Sequence, residues 1–304
     1  MKLRAHADDF GLTRHISENI LACFDHGALD STSLIVNGFD TKESVEMAHE
    51  QLKKGLQLHL HLNFMEGKPV SSSKEVPLLI NSSGNFRHGF SHLWWRYLTG
   101  NQQTRLAFQH QIRHEIRAQI LLFKQLLPAP TELIIDSHQH YHLIPFIGDE
   151  LIRLHDDFPI RAIRLPREPF FLRPASSVSC GVHMGINMIK HSLLNHLSRK
   201  LLPKLERAGI SHNQHFLGVL CTGNMSLKAI QHGLDKLSKT HNGEVEILFH
   251  PGGAAQTELS YWEDRPDLKR YYSSQNRTKE KSLLMSTPFR ELLQTYRSSS
   301  ERSA

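Results

Sequence analysis

Four short segments of the chain place acidic side chains or histidines where strands are expected to end. The first contains Asp8 and Asp9, which come just before Gly11. Two ionised carboxylates this close repel each other, and a bound cation would let one act as a ligand while the other stays free as a base. The alternative is turn chemistry, because Asp tolerates tight turns and Gly11 supplies a positive φ. The pair by itself leaves both interpretations open.

The second segment covers residues 58–63, in which leucine alternates with polar side chains. At a period of two, the leucines face one way and His59, His61 and Asn63 face the other. Either histidine is compatible with a half-exposed position on a strand. A loop follows the segment, however, so His61 is expected near the C-terminal end of a strand, where barrels build their sites.

The third segment follows an apolar run and contains Asp136, His138, His140 and His142. If the chain stays extended, all four side chains point the same way. Imidazole is a good ligand for zinc and related divalent ions, and an adjacent carboxylate can orient it. The pattern therefore favours a metal site, with some of the three histidines supporting the ligands or facing a substrate.

The fourth segment is an apolar strand that ends at His250, just before a Pro-Gly-Gly turn. This histidine either caps the strand and satisfies a loop carbonyl, or it serves as a general acid at the mouth of a barrel. Because three other strand ends carry acids and histidines, the second interpretation is favoured.

Strand-like apolar runs alternate with amphipathic segments along most of the chain. Strands are predicted at residues 33–36, 56–63, 133–137, 160–165 and 244–250, and helices at 13–26, 42–54, 104–127, 146–155, 186–207 and 288–296. The alternation predicts a parallel sheet, open or closed into a barrel. We favour an α/β fold with a TIM-barrel-like (β/α) barrel. It forms a single domain over residues 1–296 with an insertion at about 68–103, followed by a disordered tail at 297–304.

Composition excludes several classes of protein. With 39% hydrophobic and 22% charged residues, the chain is not a disordered protein. Its net charge of +6 is spread without a Lys/Arg block, so we expect no nucleic-acid partner. No apolar run approaches the roughly 18 residues of a membrane span, and no nucleotide-binding glycine motif is present. The three scattered cysteines predict neither a disulfide framework nor a cysteine zinc site, and favour the cytoplasm.

Two further segments have two interpretations each. The aromatic stretch at residues 90–98 either stacks on a sugar ring or packs beneath a lid. The basic amphipathic segment at 186–207 is either an ordinary surface helix or a weak membrane-surface contact.

With these segments assembled, the chain resembles the YdjC-like carbohydrate deacetylases. The matching segments, in chain order, are Ala7-Asp8-Asp9-Phe10-Gly11-Leu12, Thr32-Ser33-Leu34-Ile35-Val36-Asn37-Gly38, Leu60-His61-Leu62-Asn63 with Glu66-Gly67-Lys68-Pro69, Asp136-Ser137-His138-Gln139-His140-Tyr141-His142, and His250-Pro251-Gly252. Each segment is weakly informative alone, but five in the same order are specific. One departure is His6, which stands where relatives usually have Asn.

The resemblance implies a distorted barrel and one divalent metal, Mg or Zn, held by Asp9, His61 and His138. It also implies that Asp8 is the general base and His250 the general acid in hydrolysis of an N-acetyl group on an amino sugar. His59, next to an expected ligand, makes it ambiguous which imidazole binds, and His140 and His142 have no assigned role. An N-acetylated amino sugar is the expected partner, and a homodimer is compatible with the sequence.

Three alternatives remain. One is a deacetylase of a lipid-linked, hopanoid-type amino sugar, because the segment from Arg164 to Pro169 resembles that branch of the family. Another is a metal-dependent phosphoesterase, which the few clustered acids disfavour. The third is a non-catalytic glycan-binding protein, against which the presence of both Asp8 and His250 argues.

Overall fold

The strands form one parallel sheet. The computed structural model describes residues 1–127, 132–172, 184–238 and 243–301. Within them, the strands are β1 (Lys2–Phe10), β2 (Ser31–Leu34), β3 (Gln57–Leu62), β4 (Leu133–Ser137), β5 (Ile160–Ile163), β6 (His215–Leu217) and β7 (Glu244–Phe249). Every pair is parallel, in the order β5-β4-β3-β2-β1-β7-β6. A further parallel bridge joins Ala162 to Ser211, so the two sheet edges approach each other. The predicted α/β, barrel-like fold is confirmed.

Helices cover the outside of the sheet. They are α1 (Arg14–His26), α2 (Thr41–Met47), α3 (His49–Lys53), α4 (Phe90–Thr99), α5 (Gln102–Leu126), α6 (Pro145–Leu154), α7 (Met184–Arg207), α8 (Leu227–Ser238), α9 (Pro266–Tyr272), α10 (Gln275–Leu284) and α11 (Thr287–Glu301). Short 3-10 helices span His138–Leu143 and Glu258–Trp262. In the described part of the chain, no helix is both long and apolar enough to cross a membrane.

The two faces of β1 show how the sequence pattern builds the barrel. The buried apolar residues Leu3, Ala5 and Ala7 alternate with polar ones along the strand. The ring of His6, on the other face, contacts the hydroxyls of Ser31 and Ser33 at 2.7 and 2.6 Å. One face of the strand is thus apolar, and the other belongs to a polar barrel interior.

The predicted elements differ from the observed ones in several places. The single helix expected at 42–54 is divided at Ala48 into α2 and α3. Helix α4 lies inside the expected insertion, and β6, α8, α9 and α10 were not predicted. Helix α11 continues to Glu301, and Arg297 donates to Asp30 at 2.6 Å. The division of the chain into one domain and a tail stays a prediction.

The chain does not stay extended through residues 136–142. Strand β4 ends at Ser137, and the chain then turns through Gln139 and His140, whose φ angles are +50° and +59°. Because this turn breaks the alternation of side chains, Asp136, His138 and His142 do not share one face.

The cysteines of the described residues are in two different states. Cys23 is free and buried, whereas Cys221 is disulfide-bonded.

Candidate active site

The predicted site residues come together at one end of the barrel. Asp9 lies near the end of β1, His61 near the end of β3, and His138 and His250 directly after β4 and β7. Because all these strands are parallel, their carboxyl ends meet at the same face of the sheet. Side chains from four separate stretches of sequence therefore converge there.

Asp9, His61 and His138 form a compact group, called here the metal triad. The side chains are buried, and one possible ligand atom from each lies within 4.8 Å of the others. Oδ1 of Asp9 is 3.1 Å from Nδ1 of His138 and 3.9 Å from Nε2 of His61. Among the described residues, Asp9 Oδ1 and His61 Nε2 have no hydrogen-bond partner. Two buried polar atoms that face each other without a partner are suited to a shared cation.

The far nitrogen of each triad histidine contacts a carboxylate. Nδ1 of His61 lies 2.5 Å from Asp136 Oδ1, and Nε2 of His138 lies 2.9 Å from Glu66 Oε1. A carboxylate accepts hydrogen bonds, so these nitrogens carry the protons and the near nitrogens can offer lone pairs to a cation. Such pairing fixes the tautomer and orientation of a metal-ligating histidine. The donor set fits one divalent ion.

Glu66 is itself held by two buried aromatic residues. Trp262 donates its indole N–H to Oε2 at 2.6 Å, and Tyr272 donates its hydroxyl to Oε1 at 2.6 Å. The carboxylate behind His138 therefore has a fixed position.

A β-bulge explains how two adjacent aspartates both reach the site. In a regular strand, Asp8 and Asp9 would point to opposite faces. The pairing of β1 with β2 shifts register between Ala7 and Phe10, and Asp9 has a φ of +74°. Bulges re-aim side chains, and positive φ in a non-glycine residue carries a strain that concentrates at functional sites.

The second oxygen of Asp9 is bound by Arg277 of α10. Both Nη atoms donate to Oδ2 at 3.1 Å, and Nε donates to the carbonyl of Gly252 at 2.6 Å. Burial alone would raise the pKa of Asp9, but the close contact with His138 and the charge of Arg277 hold it well below its ordinary value. In the absence of a cation, burial is likewise outweighed at His138, where Asp9 and Glu66 raise the pKa to about 10.

Asp8 is paired with Arg164 through both oxygens. Nη1 donates to Oδ2 at 3.0 Å and Nη2 donates to Oδ1 at 2.9 Å, while Oδ2 also lies 3.9 Å from Nε2 of His61. Arg164 further contacts Asp136 at 2.7 Å and Glu246 at 2.5 Å. Despite burial, the Arg164 charge keeps the pKa of Asp8 well below its ordinary value, so this carboxylate stays ionised beside the triad.

His250 is half-buried and lies close enough to Asp9 for their charges to interact. Its backbone N–H donates to Oε2 of Glu280 at 2.7 Å, which fixes the turn after β7. Loss of hydration lowers the pKa of His250 to about 4, although the charges of Asp9 and Asp8 oppose that shift. The imidazole is therefore neutral at neutral pH in the protein without substrate.

The remaining histidines lie outside the triad. Nε2 of His142 donates to the carbonyl of Arg164 at 2.9 Å, and its Nδ1 contacts Ser137 Oγ at 2.6 Å. His59 lies deeper in the barrel, where its ring is 4.7 Å from that of His6. Two further histidine–aspartate groups in the described chain also meet distance criteria for a metal, but both include Asp136, which already pairs with Arg164.

Several residues that complete the site were not predicted as such. They are Glu66, Arg164, Trp262, Tyr272, Arg277 and Glu280. Glu66 and Arg164 lie within segments that carry the family resemblance, which was the available signal. Arg277 and Glu280 lie on α10, where no sequence pattern marked them.

Known relatives bear names that agree with one another. The human carbohydrate deacetylase is 28% identical over 265 residues, covering 83% of this chain and 75% of the relative. The Danio rerio carbohydrate deacetylase is 25% identical and covers 88% of this chain and 87% of that one. The Clostridium beijerinckii carbohydrate deacetylase is 34% identical but covers 54% of this chain and 61% of its own length.

A solved structure supports the fold. The crystal structure of a protein from Enterococcus faecalis V583 described as a cellobiose-phosphate cleavage protein superposes with a TM-score of 0.69. It is 20% identical and covers 97% of this chain and 94% of that one, so the likeness concerns the fold alone. The model of the YdjC-like protein family matches residues 2–295, nearly the whole length. This chain therefore belongs to the YdjC-like protein family.

Proposed function

We propose that the chain is a metal-dependent hydrolase that removes the N-acetyl group from an amino sugar. The observation that carries the proposal is the metal triad, in which Asp9 Oδ1 and His61 Nε2 face each other without partners. The family and the names of its curated relatives supply the substrate class. One carboxylate and two imidazoles suit zinc well and also accept other divalent ions, so zinc and magnesium are the metals to test first.

In this proposal, Asp9, His61 and His138 hold the cation. When bound, a divalent cation polarises the acetyl carbonyl and lowers the pKa of water. Asp136 and Glu66 keep the two imidazoles oriented throughout.

Asp8 and His250 move protons. Asp8, ionised and held by Arg164, takes a proton from the attacking water, and its position beside His61 compensates for its low basicity. His250 donates a proton to the departing sugar nitrogen. Because its imidazole starts neutral, His250 must first take up a proton from solvent, and it donates that proton to the nitrogen as the C–N bond breaks.

Two features bear on the alternatives. A phosphoesterase with two metals would need a second open ligand set, and the other groups of the described chain share an Asp136 that Arg164 already neutralises. A lipid-linked sugar receives some support from the start of α7, where Ile186 and Ile189 are exposed. Co-sedimentation with anionic liposomes tests that variant and the weak membrane contact together.

The experiment is acetate release from an N-acetylated amino sugar by the metal-free, zinc-loaded and magnesium-loaded chain, with a sugar phosphate as the control substrate. We expect acetate only with metal present. Asp8→Asn and His250→Ala should retain the metal but lower kcat by about a hundredfold or more. Full activity in either variant refutes that residue's role, and phosphate release without acetate refutes the deacetylase.

Two further proposals concern the state of the protein. A homodimer is tested by size-exclusion chromatography with light scattering. A cytoplasmic location is tested by cell fractionation, and the disulfide at Cys221 weighs against it because thiols there are usually kept reduced.

A further inference from the structure

Two exposed aromatic rings stack on each other at the end of the barrel that holds the metal triad. Phe39 lies in the connection after β2, and Tyr261 lies in the 3-10 helix that follows β7. Their ring centroids are 4.2 Å apart with an interplanar angle of 9°, yet Phe39 is 37% exposed and Tyr261 43%. Because each ring covers only one face of the other, the exposed area lies on the outer faces and edges.

Buried Trp262 links this aromatic pair to the metal triad. Its ring meets Phe39 edge-on, with centroids 5.6 Å apart at 90°, and meets Tyr261 at 6.1 Å and 83°. The indole N–H of Trp262 donates to Glu66, which contacts His138. The exposed pair therefore lies two side chains away from a triad histidine and rests on a fixed support.

Carboxylates flank the edge of the pair. Asp40 Oδ1 is 3.5 Å from the Tyr261 hydroxyl, and Glu258, in the same 3-10 helix, accepts from the backbone of His15 at 2.8 Å. An apolar ring face bordered by acceptor oxygens matches a pyranose, which has a C–H face and hydroxyl or ammonium groups at its rim.

We propose that the Phe39–Tyr261 pair is a subsite for a second sugar ring, next to the ring whose N-acetyl group lies at the metal triad. The inference rests on the proposed function, and it makes an oligosaccharide the better substrate. A monosaccharide leaves the aromatic pair uncovered and gains nothing from it.

The test compares an N-acetylated amino-sugar disaccharide with its monosaccharide. For the disaccharide, Tyr261→Ala should lower kcat/KM by about tenfold, mainly through KM, as expected for loss of one stacked ring. The value for the monosaccharide should stay unchanged. Phe39→Leu should act in the same direction, whereas Tyr261→Phe, which keeps the ring, should behave like the wild type.

Trp95→Ala is the matched control, because Trp95 on α4 is 58% exposed and its ring stacks on His92 of the same helix. Trp95→Ala should leave kcat/KM unchanged for both substrates. The proposal is overturned if Tyr261→Ala lowers kcat/KM equally for both substrates or changes it for neither. It is also overturned if, of these two variants, only Trp95→Ala lowers kcat/KM for the disaccharide.

Calorimetric binding of the fully deacetylated disaccharide separates failure of the subsite from failure of the proposed function. If the wild type releases no acetate but binds this disaccharide more tightly than Tyr261→Ala does, the deacetylase is wrong and the subsite holds. If acetate is released while binding and turnover are the same in both proteins, the subsite alone is wrong.

Discussion

The metal triad and the cluster around Arg164 lie side by side, but they differ in how their charges are satisfied. Arg164 contacts three carboxylates, those of Asp8, Asp136 and Glu246, and so provides a positive charge that they share. In the triad, by contrast, Arg277 binds only Oδ2 of Asp9, and Oδ1 faces Nε2 of His61 at 3.9 Å, with neither of these two atoms hydrogen-bonded among the described residues. A buried charge cluster whose charged atoms contact one another supports a fold. A cluster that leaves two lone-pair atoms facing each other can bind a cation.

The contrast has an energetic basis. Burying an ion costs several kcal/mol, and only well-placed partners repay that cost. The Arg164 guanidinium provides those partners within the protein, so removing it should damage the fold. The triad depends on a ligand from outside, so removing one of its members should damage binding and leave the fold intact.

The largest effect is expected from His138→Ala. Removing one of three ligands should abolish stable metal binding and lower activity by about three orders of magnitude or more, with the fold retained. Metal content after dialysis and circular dichroism measure the two parts. His140→Ala, in the same turn but outside the triad, is the control, and metal at full occupancy in His138→Ala would remove that residue from the ligand set.

Arg164→Met should have the next largest effect, this time on stability. It leaves three buried carboxylates without their cation, so the free energy of unfolding should fall by about 3–5 kcal/mol in denaturant titrations. Arg117→Met is the matched control, because its pair with Asp157 at 2.8 Å is exposed and should contribute about 1 kcal/mol or less. Equal losses in the two variants would contradict the distinction between the clusters.

A smaller effect is expected from Glu66→Gln, which weakens the support behind His138. Metal affinity should fall by about 10–100-fold, as is typical for a residue that orients a ligand. Metal titration against a chelator at fixed pH measures the change, and an unaltered affinity would show that Glu66 does not orient His138.

The pH dependence of the same metal titration is a further test that the triad, unlike the Arg164 cluster, binds a cation. Without metal, His138 holds a proton up to a pKa of about 10, so a cation must displace that proton. Affinity should therefore rise with pH, by about tenfold per unit between pH 6 and 9. Glu66→Gln removes one cause of the raised His138 pKa and should flatten the rise of metal affinity with pH. A wild-type metal affinity that does not change with pH would contradict the protonation assigned to His138.

Much of the site could be predicted from local sequence patterns. Alternation of period two marked His61 on β3, and apolar runs that end in polar residues marked His138 and His250 as strand ends. Asp9 was placed where a first strand would meet a helix. Because parallel strands place their carboxyl ends on one face, those positions were expected to converge. The predicted strand at residues 133–137 has the same bounds as β4.

The details that make the site work were not predictable in this way. The bulge at Asp9 and the left-handed turn at Gln139 and His140 decide which neighbours of a motif residue reach the site. From the sequence alone, without this turn, His140 and His142 could not be distinguished from His138 as metal ligands. Such departures from regular strand geometry have no signature in the local alternation.

The amino-acid order by itself determined which residue types stand at the strand ends, because alternation and strand termination are local properties of the chain. Only the tertiary structure decided which charges neutralise one another. Arg164 is 156 positions from Asp8 and Arg277 is 268 positions from Asp9. Partners so far apart meet only when the barrel folds, so their pairing leaves no trace in any short stretch of sequence.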